Sequence, residues 1–199
     1  MIAAILLAAG ESRRMGSPKP LLDWAGETLI EYQVHQLCDA GVDTVIAVLG
    51  HSADQVRPLA ERAGAAAVLN DHYAEGRASS LRAGAAAVPP STAEIAVLNV
   101  DQPRPALVTA RLLAEHLASG ALITLPTYEG RRGHPAFLCG SLLPELLAAT
   151  DADEGLRAVI HRHNTDVREI SFDTPIVLLD INTREDYERA RTEFQKVVR

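Results

Sequence analysis

Residues 2–9 read Ile-Ala-Ala-Ile-Leu-Leu-Ala-Ala, an unbroken apolar run that ends directly on Gly10. A strand with one solvated face alternates apolar and polar residues. A strand that is apolar on both faces must be covered on both, as in a parallel sheet flanked by helices. The same signature returns at 44–49 (TVIAVL) and 94–100 (EIAVLNV). Between these runs lie stretches with helical spacing. Residues 29–40 carry Leu29, Ile30, Val34 and Leu37 at that spacing and meet Gly41 as a stop. Residues 52–63 read as a helix with Ser52 as its N-cap, 79–88 as a short Ala-rich helix and 105–119 as another. Short strands are expected at 66–69 and 121–126.

This β-α-β-α-β order predicts an α/β fold, a Rossmann-like, mostly parallel sheet with helices on both faces. The length of 199 residues fits a single domain over 1–199. The later part is less regular, with strands expected at 134–139, 167–172 and 175–181 and helices at 142–149, 156–163 and 184–197.

Charge narrows the partners. There are 19 Lys and Arg against 26 Asp and Glu, a formal charge of −7. That argues against nucleic-acid binding, which needs a basic surface. No apolar run approaches the roughly 20 residues of a membrane span, and the opening run lacks the positive flank of a signal peptide. Two cysteines, Cys38 and Cys139, stand far apart with no CxxC. They read as buried small hydrophobes in a protein of the reducing cytoplasm.

In an open α/β sheet, ligands bind beyond the carboxyl ends of the strands. Three segments belong there. The loop 10–19 (GESRRMGSPK) holds Gly10, Ser12, Arg13, Arg14, Gly16 and Lys19. Its glycines and N–H groups suit close approach to an anion, and its cations suit phosphate. It matches neither GxxxxGK[ST] nor GxGxxG, so a P-loop and a dinucleotide site are poorly supported. Asp101, in Val100-Asp101-Gln102-Pro103, is placed either to hold Mg²⁺ with substrate phosphates or to cap the helix near Pro105. Asp180-Ile181-Asn182-Thr183 offers the same pair of readings, a ligand oxygen on Asn182 or a cap on the last helix. Gly133-His134-Pro135 follows Arg131 and Arg132, a histidine beside two anion-attracting groups. His161 and His163, two apart on a helix, face different directions and read as surface residues.

Assembled, these residues resemble the MobA-like nucleotidyltransferase family, closest to its molybdenum cofactor cytidylyltransferase branch. The resemblance runs through Leu6-Leu7-Ala8-Ala9-Gly10-Glu11-Ser12-Arg13-Arg14-Met15-Gly16 with Lys19, Leu21 and Leu22. It continues through Asn70, Gly76, Ser80 and Leu81, then Asp101-Gln102-Pro103, Gly133-His134-Pro135 and the closing Asp180-Ile181-Asn182-Thr183. Two positions depart: Asn182 stands where the closing motif has Asp, and Asn99-Val100 where a Gly usually precedes the metal-binding acid.

The resemblance implies the nucleotide-diphospho-sugar transferase type of fold and transfer of CMP from CTP to the terminal phosphate of molybdopterin. Arg14, Lys19 and Asp101 are implied as catalytic. Leu7, Ala8, Ala9, Gly10, Ser12, Arg14, Lys19, Asn70, Ser80 and Asp101 would bind the nucleotide. Arg132, Gly133, His134 and Pro135 would bind the acceptor, and Asp101 with Asn182 would hold Mg²⁺ or Mn²⁺. The product would pass to a molybdoenzyme or its maturation chaperone. The competing readings are GTP as donor, a sugar or alcohol phosphate as acceptor, and a non-catalytic nucleotide or cofactor carrier.

Overall fold

The computed structural model describes residues 1–12 and 14–197. Arg13, expected in the anion loop, lies outside the described residues.

The chain runs β1 (Ile2–Ala8), a hairpin of β2 (Asp23–Trp24) and β3 (Glu27–Thr28), α1 (Leu29–Asp39), β4 (Thr44–Leu49), α2 (Ala53–Arg62) and β5 (Ala66–Leu69). It continues through α3 (Arg77–Ala86), β6 (Glu94–Asn99), α4 (Ala106–Ser119), β7 (Ile123–Tyr128), β8 (Arg131–Arg132) and β9 (Ala136–Cys139). It closes with α5 (Leu143–Leu147), α6 (Leu156–Arg162), β10 (Val167–Ser171) and α7 (Arg184–Val197).

The main sheet has the order β10-β7-β9-β6-β1-β4-β5, with β8 paired to the end of β7. β1 lies parallel to both β4 and β6. β9 runs antiparallel between β6 and β7. Alternate residues of β1 enter opposite cores. Ala4, Leu6 and Ala8 join the core packed by α1, α2, α4 and α7, while Ala3 and Ile5 join the one packed by α3, α5 and α6. This two-sided burial is what the apolar run at 2–9 requires.

The chain leaves β1 toward β4 and β5, then returns to β6 on the other side of β1. The direction of winding therefore reverses between β1 and β6, and a crevice opens at their carboxyl ends. The loop 10–19 follows one of these strands and Asp101 the other.

Several local expectations are corrected. Residues 175–181 are not a strand: Pro175–Leu178 is a 3-10 turn, and the Thr174 hydroxyl accepts from the Ile176 N–H. Pro175 has no N–H for a ladder and its fixed φ suits a helical first position. Ser52 adopts φ 60 and its hydroxyl caps nothing; its carbonyl opens α2 by accepting from Gln55 and Val56. α3 starts two residues earlier than expected, at Arg77. The expected helix over 142–149 shortens to α5 behind a 3-10 turn, Gly140–Leu142. The expected strand over 134–139 begins only at Ala136, after the cis His134–Pro135 peptide. Cys38 is exposed on α1 and Cys139 half-buried, so neither is a core hydrophobe.

Candidate active site

The loop after β1 is folded on itself before it reaches the crevice. The Met15 N–H bonds the Ser12 carbonyl at 2.9 Å, and the Lys19 N–H bonds the Ser12 hydroxyl at 3.0 Å. A 3-10 turn, Lys19–Leu21, then aims the lysine side chain inward. The Lys19 ammonium donates to Asp101 Oδ2 at 2.6 Å and to Asn182 Oδ1 at 3.1 Å. Arg14 reaches the same Asn182 oxygen at 3.3 Å. The three segments expected beyond the carboxyl ends of the strands thus meet at one point.

The two capping readings are resolved by these contacts. α4 begins after Pro105, and the Asp101 side chain does not cap it. α7 is capped by Thr183, whose hydroxyl accepts from the Asp186 N–H while Asp186 accepts from the Thr183 and Asn182 N–H groups. That frees the Asn182 amide for the crevice. The Ile181 N–H bonds the Asp101 carbonyl at 2.9 Å and locks the two loops together. Farther along α7, Tyr187 donates to the Asp23 carbonyl, and Phe194 stacks edge-on against Trp24 and Tyr32, which fixes the helix on the β2–β3 hairpin.

Among the described residues, Asp101 Oδ1 is buried without a hydrogen-bond partner. An orphaned carboxylate oxygen beside an amide oxygen suits a hard divalent cation. No group of three or more His, Cys, Asp or Glu among the described residues forms a metal cage. Two protein oxygens match Mg²⁺ or Mn²⁺ that takes its remaining ligands from phosphate and water. Asp180 lies close by, its carboxyl raised by burial and by the charge of Asp101.

Two cavities flank this cluster. The smaller, of about 240 Å³, is lined by Leu7, Ala8, Ala9, Gly10, Ser12, Lys19, Ser80 and Asp101, together with Pro20, Tyr73, Gly76, Arg77, Asn99 and Val100. Asn70 is not on this lining. It sits beneath, 5% exposed, donating to the Ser79 and Ser80 hydroxyls and accepting from the His72 N–H. It shapes the wall that Ser80 presents.

The larger cavity, of about 700 Å³, has an apolar floor that includes Leu81, Val97, Leu125 and Ile160 and a polar rim that includes Asn99, Gln102, Gly133, His134 and Asp180. Pro135 is not part of its lining. Arg132 touches it, but its guanidinium is held by Glu169 at 2.7 Å and Asn164 at 2.9 Å. His134 is hydrogen-bonded to Gln102 at 3.2 Å. Burial, then the charges of Arg104 and Arg77, push its imidazole down to about 4. It is neutral at physiological pH.

A residue that sequence reading missed holds this wall in place. Arg104 is 1% exposed and donates to the carbonyls of Pro103, His134, Val177 and Leu179 at 2.8–3.0 Å. Gly133 belongs to the same seam: a Cβ there would fall 2.1 Å from the Val177 carbonyl oxygen. Arg104 follows Pro103 with nothing in the local sequence to mark it as buried. Arg77 was equally unmarked, although it follows Gly76 of the quoted motif.

Among the described residues, no helix is long and apolar enough to cross a membrane. Residues 4–167 match the MobA-like NTP transferase domain. A nicotine blue oxidoreductase of Paenarthrobacter nicotinovorans is 33% identical over 168 residues, covering 81% of this chain and 82% of that protein. The molybdenum cofactor cytidylyltransferase of Escherichia coli is 24% identical over 98% of both chains. Rv0371c from Mycobacterium tuberculosis, solved in complex with manganese, is 30% identical with a TM-score of 0.78, covering 96% of this chain and 98% of that one.

Proposed function

The chain belongs to the MobA-like NTP transferase domain family, and on that premise we propose that it transfers CMP from CTP to the terminal phosphate of molybdopterin. The nucleotidyltransferase reading itself rests on the family and its fold. The observation that carries the proposed chemistry is the meeting of Lys19, Asp101 and Asn182 at the carboxyl ends of β1 and β6, between a smaller cavity and a larger one.

In this reading the smaller cavity takes the nucleotide. Ala8 and Ala9 border the base, and Lys19 and Arg14 hold the triphosphate through charge-assisted bonds. Ala9 narrows the cavity by a methyl group, which favours the smaller pyrimidine. The larger cavity, with its apolar floor and polar rim, takes the acceptor. A phosphate monoester has a second pKa of about 6, so its attacking oxygen is already largely ionised at neutral pH. No general base is required, and neutral His134 is suited to hydrogen bonding rather than proton abstraction.

An acceptor phosphate oxygen attacks the α-phosphorus of CTP, the bond from that phosphorus to the bridging oxygen breaks, and pyrophosphate departs. Lys19 neutralises charge that grows on the leaving group. A divalent cation held by Asp101 and Asn182 would supply further charge neutralisation on the phosphates. Alignment of donor and acceptor contributes the remainder, as in phosphoryl transfer generally.

The test is pyrophosphate release with each NTP, with and without molybdopterin. Release with CTP that depends on molybdopterin is expected. A higher kcat/KM with GTP would overturn the cytidylyl reading, and nucleotide binding without release would favour a carrier. Because one relative is named an oxidoreductase, reduction of a dye by NADH or NADPH belongs in the same screen. Turnover there without pyrophosphate release would sink the transfer reading. Asp101→Ala should retain its fold and lose at least about a hundredfold in rate, since removing charge stabilisation worth several kcal/mol costs about tenfold per 1.4 kcal/mol.

A further inference from the structure

The wall shared by the two cavities carries one cation that no internal group engages. Arg77, the first residue of α3, lines both cavities. Among the described residues its guanidinium makes no hydrogen bond or ion pair.

The neighbouring cations are committed elsewhere. Lys19 is held by Asp101 and Asn182. Arg104 spends its donors on four backbone carbonyls. Arg132 is tied to Glu169 and Asn164, and Arg157 to Glu154. His134 brings no charge at neutral pH. Four carboxylates, Asp101, Asp151, Glu154 and Asp180, border the two cavities, and Asp151 accepts from the Ala78 N–H next to Arg77. The field of Arg77 already reaches across this space, acting on both His134 and Asp180.

Attack requires the reacting atoms to approach to roughly 3–3.5 Å. Here both partners are phosphates, and the acidic groups at the junction add to their repulsion. The acceptor phosphate therefore needs a cation of its own, on the acceptor's side of Lys19. A guanidinium can take a phosphate through two parallel N–H···O bonds.

We propose that Arg77 binds the attacking phosphate of the acceptor, making the mouth between the two cavities a phosphate-monoester site. This assignment rests on the transfer reading above. It gives the acceptor phosphate a ligand distinct from the Lys19 and Arg14 pair assigned to the donor.

The test separates the two phosphates by titration calorimetry. The parent protein, Arg77→Ala and Arg77→Lys are each titrated with α,β-methylene-CTP and Mg²⁺, then with phenyl phosphate once the analogue is saturating. Arg77→Ala should weaken phenyl phosphate binding about tenfold or more, as expected for losing a charge-assisted pair. Arg77→Lys should recover part of that loss, and affinity for the CTP analogue should stay within about threefold of the parent. Unchanged phenyl phosphate affinity in Arg77→Ala, no phenyl phosphate binding by the parent, or an equal loss of analogue affinity would each overturn the proposal. Pyrophosphate release by the parent is read separately. Its absence defeats the transfer reading, while the titrations still decide the role of Arg77.

Discussion

At the scale of single residues, the site is organised by how few charges are left unsatisfied. Lys19 lies between the two oxygens assigned to a divalent cation, 2.6 Å from Asp101 and 3.1 Å from Asn182. In the proposed reading, lysine and metal therefore share ligands. Lys19→Met should raise Mn²⁺ affinity in the absence of nucleotide and lower CTP affinity, the first read by paramagnetic titration and the second by calorimetry. Unchanged Mn²⁺ affinity would show that the ammonium and the metal do not compete. His134 gives a pH prediction. Its folded pKa of about 4 lies below the usual value of about 6.5. Between those values the unfolded chain binds the additional proton, so stability rises with pH across the window and is lost as pH falls through it. Asp180 acts in the opposite sense, because its raised carboxyl takes up a proton first in the folded state. His134→Gln should flatten the urea-midpoint profile between pH 6.5 and 4. A profile as steep as the parent's would mean that the folded imidazole protonates freely. Lys19, Asp101 and Asn182 could be placed from sequence because each sits just past an apolar run or in a quoted motif. Arg104 could not: its role depends on carbonyls at 134, 177 and 179, which only the folded chain brings to it.

At the scale of elements, periodicity sufficed wherever an element was long and buried on a defined face. β1, β4 and β6 were legible because parallel strands covered on both sides are apolar throughout. The run at 175–181 was equally apolar and misled for the same reason: a short apolar run does not distinguish a strand from a buried turn, and Pro175 decides. The β2–β3 hairpin was not anticipated, its only signal being Ala25-Gly26, both with positive φ. α3 shows where local preference and packing oppose each other. Gly84 lies inside this helix, where alanine would ordinarily gain about 1 kcal/mol. A Cβ there would meet Ile5 at 2.4 Å and Val48 at 2.9 Å, both on the sheet beneath. Packing should win, and Gly84→Ala should lower stability by about 1–3 kcal/mol. For a chain of this size that lowers Tm by roughly 2–4 °C per kcal/mol in a thermal melt. A raised Tm would show that α3 can lift off β1 and β4 without loss.

For the molecule as a whole, the reversal of winding between β1 and β6 opens the crevice, and the proposed donor and metal sites share residues there. CTP and Mg²⁺ should therefore stabilise the fold together more than the sum of their separate effects. Ligand at about a hundred times its Kd adds about 2.7 kcal/mol, a Tm rise of roughly 5–10 °C. Additive shifts in a thermal melt would place nucleotide and metal at independent sites. The same sheet imposes an order in time. β9 lies between β6 and β7, yet it is synthesised after both. A nascent chain that has emerged only as far as residue 128 holds two strands whose facing edges have no partner to span them, a state prone to pairing with other chains. The sheet becomes continuous across that gap only when residues 136–139 emerge. Asn182 arrives some forty residues later still. On the ribosome, the lysine and the aspartate are thus both present well before the amide that completes the lysine's contacts.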